Sequence, residues 1–169
     1  MHSYWRDVIS YCMRQEIVRT VCIYEMPHKG NYYILPWVTL GGMYAASLPV
    51  KIMEIAETSD EDLFDAAVAW MEYCRLPTLE ELEESDIITC MPGNTVFDEQ
   101  GFKKATGFGI GAVAKKPTLT VTLQEMKDGR YWLISYNPTD KVGEFFCDID
   151  SSLADKAKVL RNALNKSIW

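Results

Sequence analysis

Polar and apolar positions alternate along several stretches of the chain, and each stretch predicts a β-strand. Ile17–Met26 is rich in β-branched and aromatic side chains, and Thr118–Leu123 alternates strictly between polar and apolar residues. A turn at Lys127–Gly129 separates the second stretch from a further strand over Arg130–Tyr136. The pattern therefore predicts a hairpin in the C-terminal half, to which Phe145–Ile149 adds another strand.

A second hairpin is predicted near the N-terminus. Pro27–Gly30 has the composition of a turn, and Asn31–Leu40 is an extended segment in which Pro36 marks a sheet edge or a bend. Val50–Ala56 alternates more weakly and runs into the start of a helix. The first third of the chain is therefore predicted to be mainly β-structure.

Helical periodicity begins at Ser59, which is predicted to cap a helix that ends near Arg75, before Pro77. Asp62 occupies the third helical position, so the pair forms a capping box with Asp in place of Glu, and acidic residues in the first turn suit the helix dipole. Apolar residues then recur at three- and four-residue spacing and predict one buried stripe, made of Leu63, Ala66, Ala67, Trp70, Met71 and Cys74.

Two more helices are predicted, one short and acidic over Thr78–Ser85 and one at the C-terminus capped by Ser151 or Ser152. Residues 97–104 fit either a short helix or a loop. The order strands, helix, strands, helix predicts one α+β domain over residues 1–169, with a mostly antiparallel sheet of about five to six strands covered by helices. The inner face of the last helix is predicted to carry Ala157, Leu160, Ala163 and Leu164.

Composition narrows the classes of function. A chain of 169 residues with 48% hydrophobic residues buries a substantial core, and its net charge of −7 argues against nucleic acid or an anionic membrane as a direct ligand. The longest apolar stretch, residues 34–48, is interrupted by Pro36 and Gly41–Gly42 and so does not predict a membrane span.

The cysteines predict a reducing, cytoplasmic location. Their number is odd, no C-x-x-C pair occurs, and no basic-then-apolar signal segment leads the chain. Their neighbours are apolar or aromatic, so they are expected to pack as small hydrophobes with reduced thiols. The five are Cys12, Cys22, Cys74, Cys90 and Cys147.

Motifs for catalysis, metals and cofactors are weak. The two histidines, His2 and His28, have no evident partner, and no nucleophile-elbow pattern surrounds a Ser or Cys. Gly107–Gly111 followed by Lys115–Lys116 lacks the spacing of a phosphate loop, and no metal-ligand spacing occurs. No enzyme activity, cofactor or metal is therefore predicted. The alternative is a small-molecule-binding domain or enzyme that uses this glycine loop and an aromatic pocket of Tyr32, Tyr33, Trp37 and Tyr44.

The most distinctive feature is an acidic window from Glu54 to Asp86. It contains twelve of the 24 acidic residues, and Arg75 is its only basic residue. Such a run is either a solvated helix surface or a docking surface that speeds encounter with a basic partner. The predicted partner-binding residues are Asp60, Glu61, Asp65, Glu72, Glu80, Glu81, Glu83, Glu84 and Asp86.

Two stretches support a family resemblance. The run from Ser59 to Val68, continuing through Trp70–Met71 to Cys74–Arg75, resembles a helix of one family of bacterial contact-dependent growth inhibition immunity proteins. That helix has a Ser-Asp-Glu-Glu-Leu-Gly start, an Ala-Leu pair and a closing Ser-Arg. This chain departs from it at Phe64, Trp70 and Cys74, where the family favours Gly, Ala and Ser. The C-terminal run from Asp150 to Ser167 is similar to the family's second helix, so the two form a loose internal repeat; residues 90–116 do not match.

The resemblance implies a function without catalysis. Proteins of that family bind the toxic C-terminal domain of a matching surface effector, commonly a nuclease, and block it in the cytoplasm. Here it implies a one-to-one complex with a basic toxin domain, which is either a ribonuclease or a deoxyribonuclease. A scaffold or adaptor subunit that docks through the same acidic surface is the other protein-binding hypothesis.

Overall fold

A computed structural model describes residues 17–40, 43–46, 49–74, 95–97, 99–137 and 140–168. The strands of these ranges are β1 (Ile17–Met26), β2 (Asn31–Leu40), β3 (Met43–Ala46), β4 (Lys51–Glu54), β5 (Thr95–Phe97), β6 (Leu119–Met126), β7 (Arg130–Asn137) and β8 (Asp140–Asp148). The α-helices are α1 (Asp60–Trp70), α2 (Glu99–Thr106) and α3 (Leu153–Lys166).

The strands form one sheet in the order β5-β3-β2-β1-β6-β7-β8, and β4 also pairs with β2. All described pairings are antiparallel except that of β3 with β5. This confirms the predicted α+β class with a mostly antiparallel sheet covered by helices. The strands beyond the expected five to six are short, since β3 and β4 have four residues each and β5 has three.

Both predicted hairpins form. Gly30 and Gly129 adopt the left-handed conformation, with φ of 72° and 85°, which side chains disfavour and glycine accepts in a tight turn. Two strands besides β1 pair with β2: β4 pairs with it as far as Ile34, and β3 pairs with it from Trp37 onwards. Pro36 lies between these two pairings. A proline, which lacks a donor N–H, is tolerated at such a gap in the pairing.

The sheet has two apolar faces. On one, which we call the helical face, α1 and α3 cover side chains of β1, β2, β6 and β7. On the other, which we call the opposite face, α2 and the loop that follows it cover Cys22, Tyr24, Tyr33 and Leu35. The residues of the helical core include Val21, Ile23, Ile34, Leu63, Phe64, Val121, Leu123, Leu133, Leu160 and Leu164.

The two helices of the helical face begin in the same way. Ser59 Oγ accepts a hydrogen bond from the N–H of Asp62 at 3.1 Å, and Ser152 Oγ accepts one from the N–H of Asp155 at 3.1 Å. Counted from each cap, positions 5 and 8 are buried in both helices, because these positions follow the period of an α-helix. They are Phe64 and Ala67 in the first helix, and Ala157 and Leu160 in the last. Position 12 is buried as well, as Met71 in the turn after α1 and as Leu164 in α3.

Some boundaries differ from the sequence prediction. The α1 helix ends at Trp70, and a 3-10 turn over Met71–Tyr73 follows it. Phe64 is buried, although the predicted stripe left it out, while Ala66 and Trp70 are only half-buried. Residues 97–104, for which the sequence allowed a helix or a loop, lie mostly in α2. The strand β8 begins at Asp140, five residues before its predicted start. The predicted helix Thr78–Ser85 lies outside the described residues.

The described cysteines form no disulfide, and Cys22 and Cys147 pack among apolar groups. Burial raises the pKa of Cys22 to about 12 and that of Cys147 to about 11. Cys74 Sγ accepts a hydrogen bond from the backbone N–H of Thr20 at 3.3 Å, and burial raises its pKa as well. These thiols are therefore protonated at neutral pH and are poor nucleophiles, whereas Cys12 and Cys90 lie outside the described residues.

Two isoleucines provide a test of the core. Ile34 on β2 is fully buried on the helical face, whereas Ile52 on β4 is 43% exposed. We expect Ile34→Ala to lower the free energy of unfolding by about 2–5 kcal/mol, and Ile52→Ala to lower it much less. Urea denaturation followed by circular dichroism measures both. Equal losses would contradict the assignment of Ile34 to the main core.

Candidate protein-binding surface

The α1 helix holds the described part of the acidic window in a fixed orientation. The capping box closes its N-terminus, since the N–H of Ser59 also donates to Asp62 Oδ2 at 3.4 Å. Its inner side is anchored by Leu63, Phe64 and Ala67, which are at most 1% exposed. Carboxylates on its outer side therefore project from a rigid element.

Three of the predicted partner-binding residues lie together on the exposed side of this element. Glu61, Asp65 and Glu72 are all exposed. Glu61 and Asp65 are four residues apart and so share one side of α1, and Glu72 continues that side into the 3-10 turn. We call these three residues the outer acidic face. In the described part of the chain none of them forms an ion pair, so their charges are uncompensated.

Asp60 has a different environment. Its carboxylate accepts hydrogen bonds from Arg161 of α3, from Nε at 3.0 Å to Oδ1 and 3.2 Å to Oδ2, and from Nη2 at 2.6 Å to Oδ1. The same guanidinium donates from Nη1 to Glu25 Oε2 at 2.8 Å and from Nη2 to Tyr32 Oη at 2.9 Å. Asp60 therefore joins α1 to α3 and the sheet, and this ion pair occupies the carboxylate that the sequence assigned to a partner.

The Arg161 network has clear electrostatic consequences. Hydrogen bonding to Asp60, with further bonds to Tyr32 and Glu25, raises the pKa of Arg161 despite its partial burial. Burial, together with the charge of Glu25, raises the pKa of the Tyr32 hydroxyl. Arg161 is consequently a permanent cation, and Tyr32 a neutral acceptor, throughout the physiological pH range.

The remaining predicted partner residues are Glu80, Glu81, Glu83, Glu84 and Asp86, and they lie outside the described residues. Asp62 is exposed but serves the helix cap, whereas Glu54 and Glu57 add exposed charge just before α1. The structure therefore brings together the three carboxylates of the outer acidic face and assigns Asp60 to an internal contact.

The alternative small-molecule site is not assembled as the sequence suggested. Tyr32 points to the helical face and Tyr33 to the opposite face, so the two tyrosines do not line a common pocket. Within the glycine loop, Phe108 packs edge-on against Tyr33, with ring centroids 5.1 Å apart. Phe108 thus fixes the loop to the sheet as part of the second core, while the side chains of Trp37 and Tyr44 fall outside the described part.

Groups that would support catalysis are sparse in the described residues. His28 is exposed in the first turn, and His2 lies outside the described ranges. No group of three or more His, Cys, Asp or Glu side chains there is arranged to hold a metal ion. Among the same residues, no helix has the length and apolar character needed to cross a membrane.

Comparison with known proteins adds no assignment. No protein-family model matches the chain, and no curated protein is significantly similar to it.

Sequence reasoning missed the Arg161 network. Arg161 follows buried Leu160 in a helix that also carries exposed lysines, and its partners Asp60 and Glu25 are 101 and 136 residues away. A single sequence contains no signal that pairs residues so distant. The local indication is that Glu25 is the one charged residue among the apolar side chains of residues 21–26.

The network predicts a measurable loss of stability. Arg161→Met leaves Glu25 and Asp60 partly buried without a cation, so we expect the free energy of unfolding to fall by about 2–3 kcal/mol, below the cost for a fully buried pair. Adding Asp60→Asn should recover part of that loss, because it removes one uncompensated carboxylate. Urea denaturation of the single and double variants measures the coupling.

Arg130→Met is the matched control. Arg130 pairs with Asp128 at 2.8 Å where both side chains are 44–45% exposed, so only a small change is expected. If Arg161→Met were no more destabilising than Arg130→Met, the Arg161 network would not hold α1 in place.

Proposed function

We propose that this protein is an immunity protein that binds a basic toxin domain one-to-one and blocks it in the cytoplasm. The toxin is the C-terminal domain of a contact-dependent growth inhibition effector, and a nuclease is the type that best fits the charge. The observation that carries the proposal is the outer acidic face, where Glu61, Asp65 and Glu72 project without internal ion pairs from a rigid helix.

Charge complementarity supports a nuclease as the target. A nuclease presents Lys and Arg to the phosphates of its substrate, so an inhibitor that covers its active site gains affinity and speed by presenting carboxylates instead. Such inhibition needs no catalytic residue, metal or cofactor in the inhibitor. The likeness of α1 and α3 to the two helices of the immunity family supports the same proposal.

A rigid surface suits tight inhibition. Ordering a flexible acidic segment on binding costs conformational entropy, whereas carboxylates fixed on a capped and anchored helix avoid much of that cost. Because Arg161 ties Asp60 to α3 and the sheet, the orientation of the outer acidic face is set before the partner arrives. The network therefore contributes to binding indirectly, by positioning the helix.

Co-expression tests the function itself. An immunity gene lies just downstream of its toxin gene, so the partner to test is the toxic domain encoded directly upstream. We expect cells that produce this domain to grow only when the present protein is co-expressed, and an unrelated toxin domain to remain lethal. Growth arrest in the matched pair would exclude immunity and favour an adaptor that docks through the same surface.

The association rate tests the electrostatic part. We expect the rate constant for binding the toxin domain to fall as ionic strength rises, because the Debye length shortens. The variant Glu61→Gln/Asp65→Asn/Glu72→Gln should bind about 10-fold more slowly at low salt. A variant with Glu80, Glu81, Glu83 and Glu84 replaced by Gln tests the carboxylates outside the described residues.

A control with the same change in net charge separates local from global effects. Asp140, Asp148 and Asp150 are exposed residues of β8 and the turn after it. Stopped-flow measurements on Asp140→Asn/Asp148→Asn/Asp150→Asn should give a rate close to that of the unmodified protein. An equal slowing in both triple variants would show that net charge, not the outer acidic face, governs the encounter.

A further inference from the structure

The described sheet contains the same succession of elements twice. The hairpin β1–β2 is followed by β4, which pairs with β2, and then by α1. The hairpin β6–β7 is followed by β8, which pairs with β7, and then by α3. We call β1, β2, β4 and α1 the first unit, and β6, β7, β8 and α3 the second unit. The order β4-β2-β1-β6-β7-β8 places the first strands of both units at the centre.

The pairing between these two central strands is symmetric. It is centred on Cys22 of β1 and Thr122 of β6, whose numbers differ by 100. Each contact on one side of this pair is repeated on the other side with the units exchanged, which is the reciprocal pattern of a two-fold interface. The flanking pairs are Val21 with Leu123, and Ile23 with Val121.

The side chains of the central strands repeat as well. Adding 100 to a residue number in β1 gives the equivalent residue in β6. Four side chains are identical under this rule: Thr20, Val21, Glu25 and Met26 recur as Thr120, Val121, Glu125 and Met126. Alternation of polar and apolar residues would not by itself place a glutamate and a methionine at the same two positions. The units therefore share side chains and not only topology.

Both hairpins turn and receive their third strand in the same way. Gly30 and Gly129 take the left-handed conformation in the two turns. The carbonyl of Gly30 accepts the N–H of Ile55 at 2.9 Å, and that of Gly129 accepts the N–H of Ile149 at 3.0 Å. In each unit this bond ties the residue after the third strand to the turn of the hairpin.

The helices of the two units match position by position. Their caps are Ser59 and Ser152, so adding 93 to a residue number in α1 gives the equivalent residue in α3. From the cap to the ninth position after it, the residues agree in being exposed, half-buried or buried at every position except one, where Leu63 is buried and Lys156 half-buried. Both helices therefore turn the same sides to the sheet and to solvent.

Each unit supplies a cation to a carboxylate of the other. Glu25 and Glu125 occupy equivalent positions. Glu25 accepts a hydrogen bond from Arg161 of the second unit at 2.8 Å, and Glu125 accepts one from Arg19 of the first unit. The arginines come from different elements, but the exchange of charge between the units is reciprocal.

Each helix also contacts the other unit through a tyrosine. Tyr32 and Tyr131 are equivalent, since each lies across its hairpin from the glutamate of its unit. Phe64 of α1 packs edge-on against Tyr131, with ring centroids 5.5 Å apart. Arg161 of α3 donates to the hydroxyl of Tyr32 at 2.9 Å. The helices thus bridge the boundary between the units in both directions.

We infer that the domain consists of two copies of one unit, and that the surface between them is a two-fold interface held within a single chain. The partner that fits the inner strand and the helix of each unit is a second copy of that unit. Repeated side chains, a symmetric register and reciprocal arginines all follow from this arrangement. The duplication does not depend on the proposed immunity function.

The two copies differ on their solvent side. The positions of the outer acidic face are exposed in both helices, but the second unit carries no carboxylate at any of them. The shared unit therefore does not require these charges, which are a property of α1 alone. The equivalent residues are Glu61 and Ala154, Asp65 and Lys158, and Glu72 and Asn165.

The two-fold relation predicts where a transplanted arginine will be effective. Leu119 lies opposite Glu25 as Arg19 lies opposite Glu125. In Arg161→Met, whose unfolding equilibrium constant should rise about 30- to 150-fold, Glu25 has lost its cation. We expect Leu119→Arg to lower that constant about 10-fold in this background, because the new guanidinium reaches Glu25. In the unmodified protein the same substitution should raise it, since an apolar contact is lost and Glu25 is already paired.

The reverse transplant tests the carboxylate of the second unit. Val68 is half-buried on α1 at the position equivalent to Arg161 on α3. Arg19→Leu should raise the unfolding equilibrium constant only about 5-fold, because the Arg19 side chain is 34% exposed and its pair is partly screened. Adding Val68→Arg should lower the constant again by about 3-fold, because the new guanidinium reaches Glu125.

Urea denaturation measures these constants, and circular dichroism establishes that each variant is folded. Both recoveries should disappear when the glutamate is removed, in Arg161→Met/Leu119→Arg/Glu25→Gln and in Arg19→Leu/Val68→Arg/Glu125→Gln. If neither transplanted arginine gives a recovery that depends on its glutamate, the units are not equivalent and the inference is wrong. When one transplant does not fold, the other decides, and loss of folding in both would equally contradict the two-fold relation. No readout uses the toxin domain, so failure here is distinct from failure of immunity.

Discussion

The arrangement of the helical face depends on one cation, Arg161. Its guanidinium donates hydrogen bonds to carboxylates on α1 and β1 and to a hydroxyl on β2. Because Arg161 itself belongs to α3, four elements meet at one side chain. Apolar packing alone is non-directional and would let α1 slide or rotate over the sheet. Charge-assisted hydrogen bonds of fixed geometry remove that freedom, because a guanidinium donates to carboxylates only along its N–H directions.

A fixed helix in turn determines which charges reach solvent. With Asp60 drawn inward and Leu63, Phe64 and Ala67 buried, the helical period leaves Glu61 and Asp65 on the outer side. One acidic segment thus supplies both an internal ion pair and an external charged face. Its two roles are separated by single positions along the helix, so the sequence alone could not reveal that Asp60 pairs with Arg161 while its neighbours lie on the exposed side.

Local patterns predicted most of the elements because the cause of each is local. The alternation of Thr118–Leu123, the glycines of the two turns and the capping box at Ser59 act within a few residues, and each formed as predicted. Long-range features were not predictable. Three of these features join residues that are far apart in sequence, so no periodicity in the sequence indicates them. They are the parallel pairing of β3 with β5, the Arg161 network and the packing of Phe108 on Tyr33.

The two-sided sheet changes how the net charge should be interpreted. Electrostatic attraction acts over about a Debye length, so a ligand responds to the surface it approaches and not to the total charge of the molecule. Here the sheet separates the carboxylates of α1 from the lysines around α2, since each amphipathic segment must bury its apolar side against its own face. The same burial that builds two cores therefore directs the exposed charges of α1 and of α2 to opposite sides of the sheet.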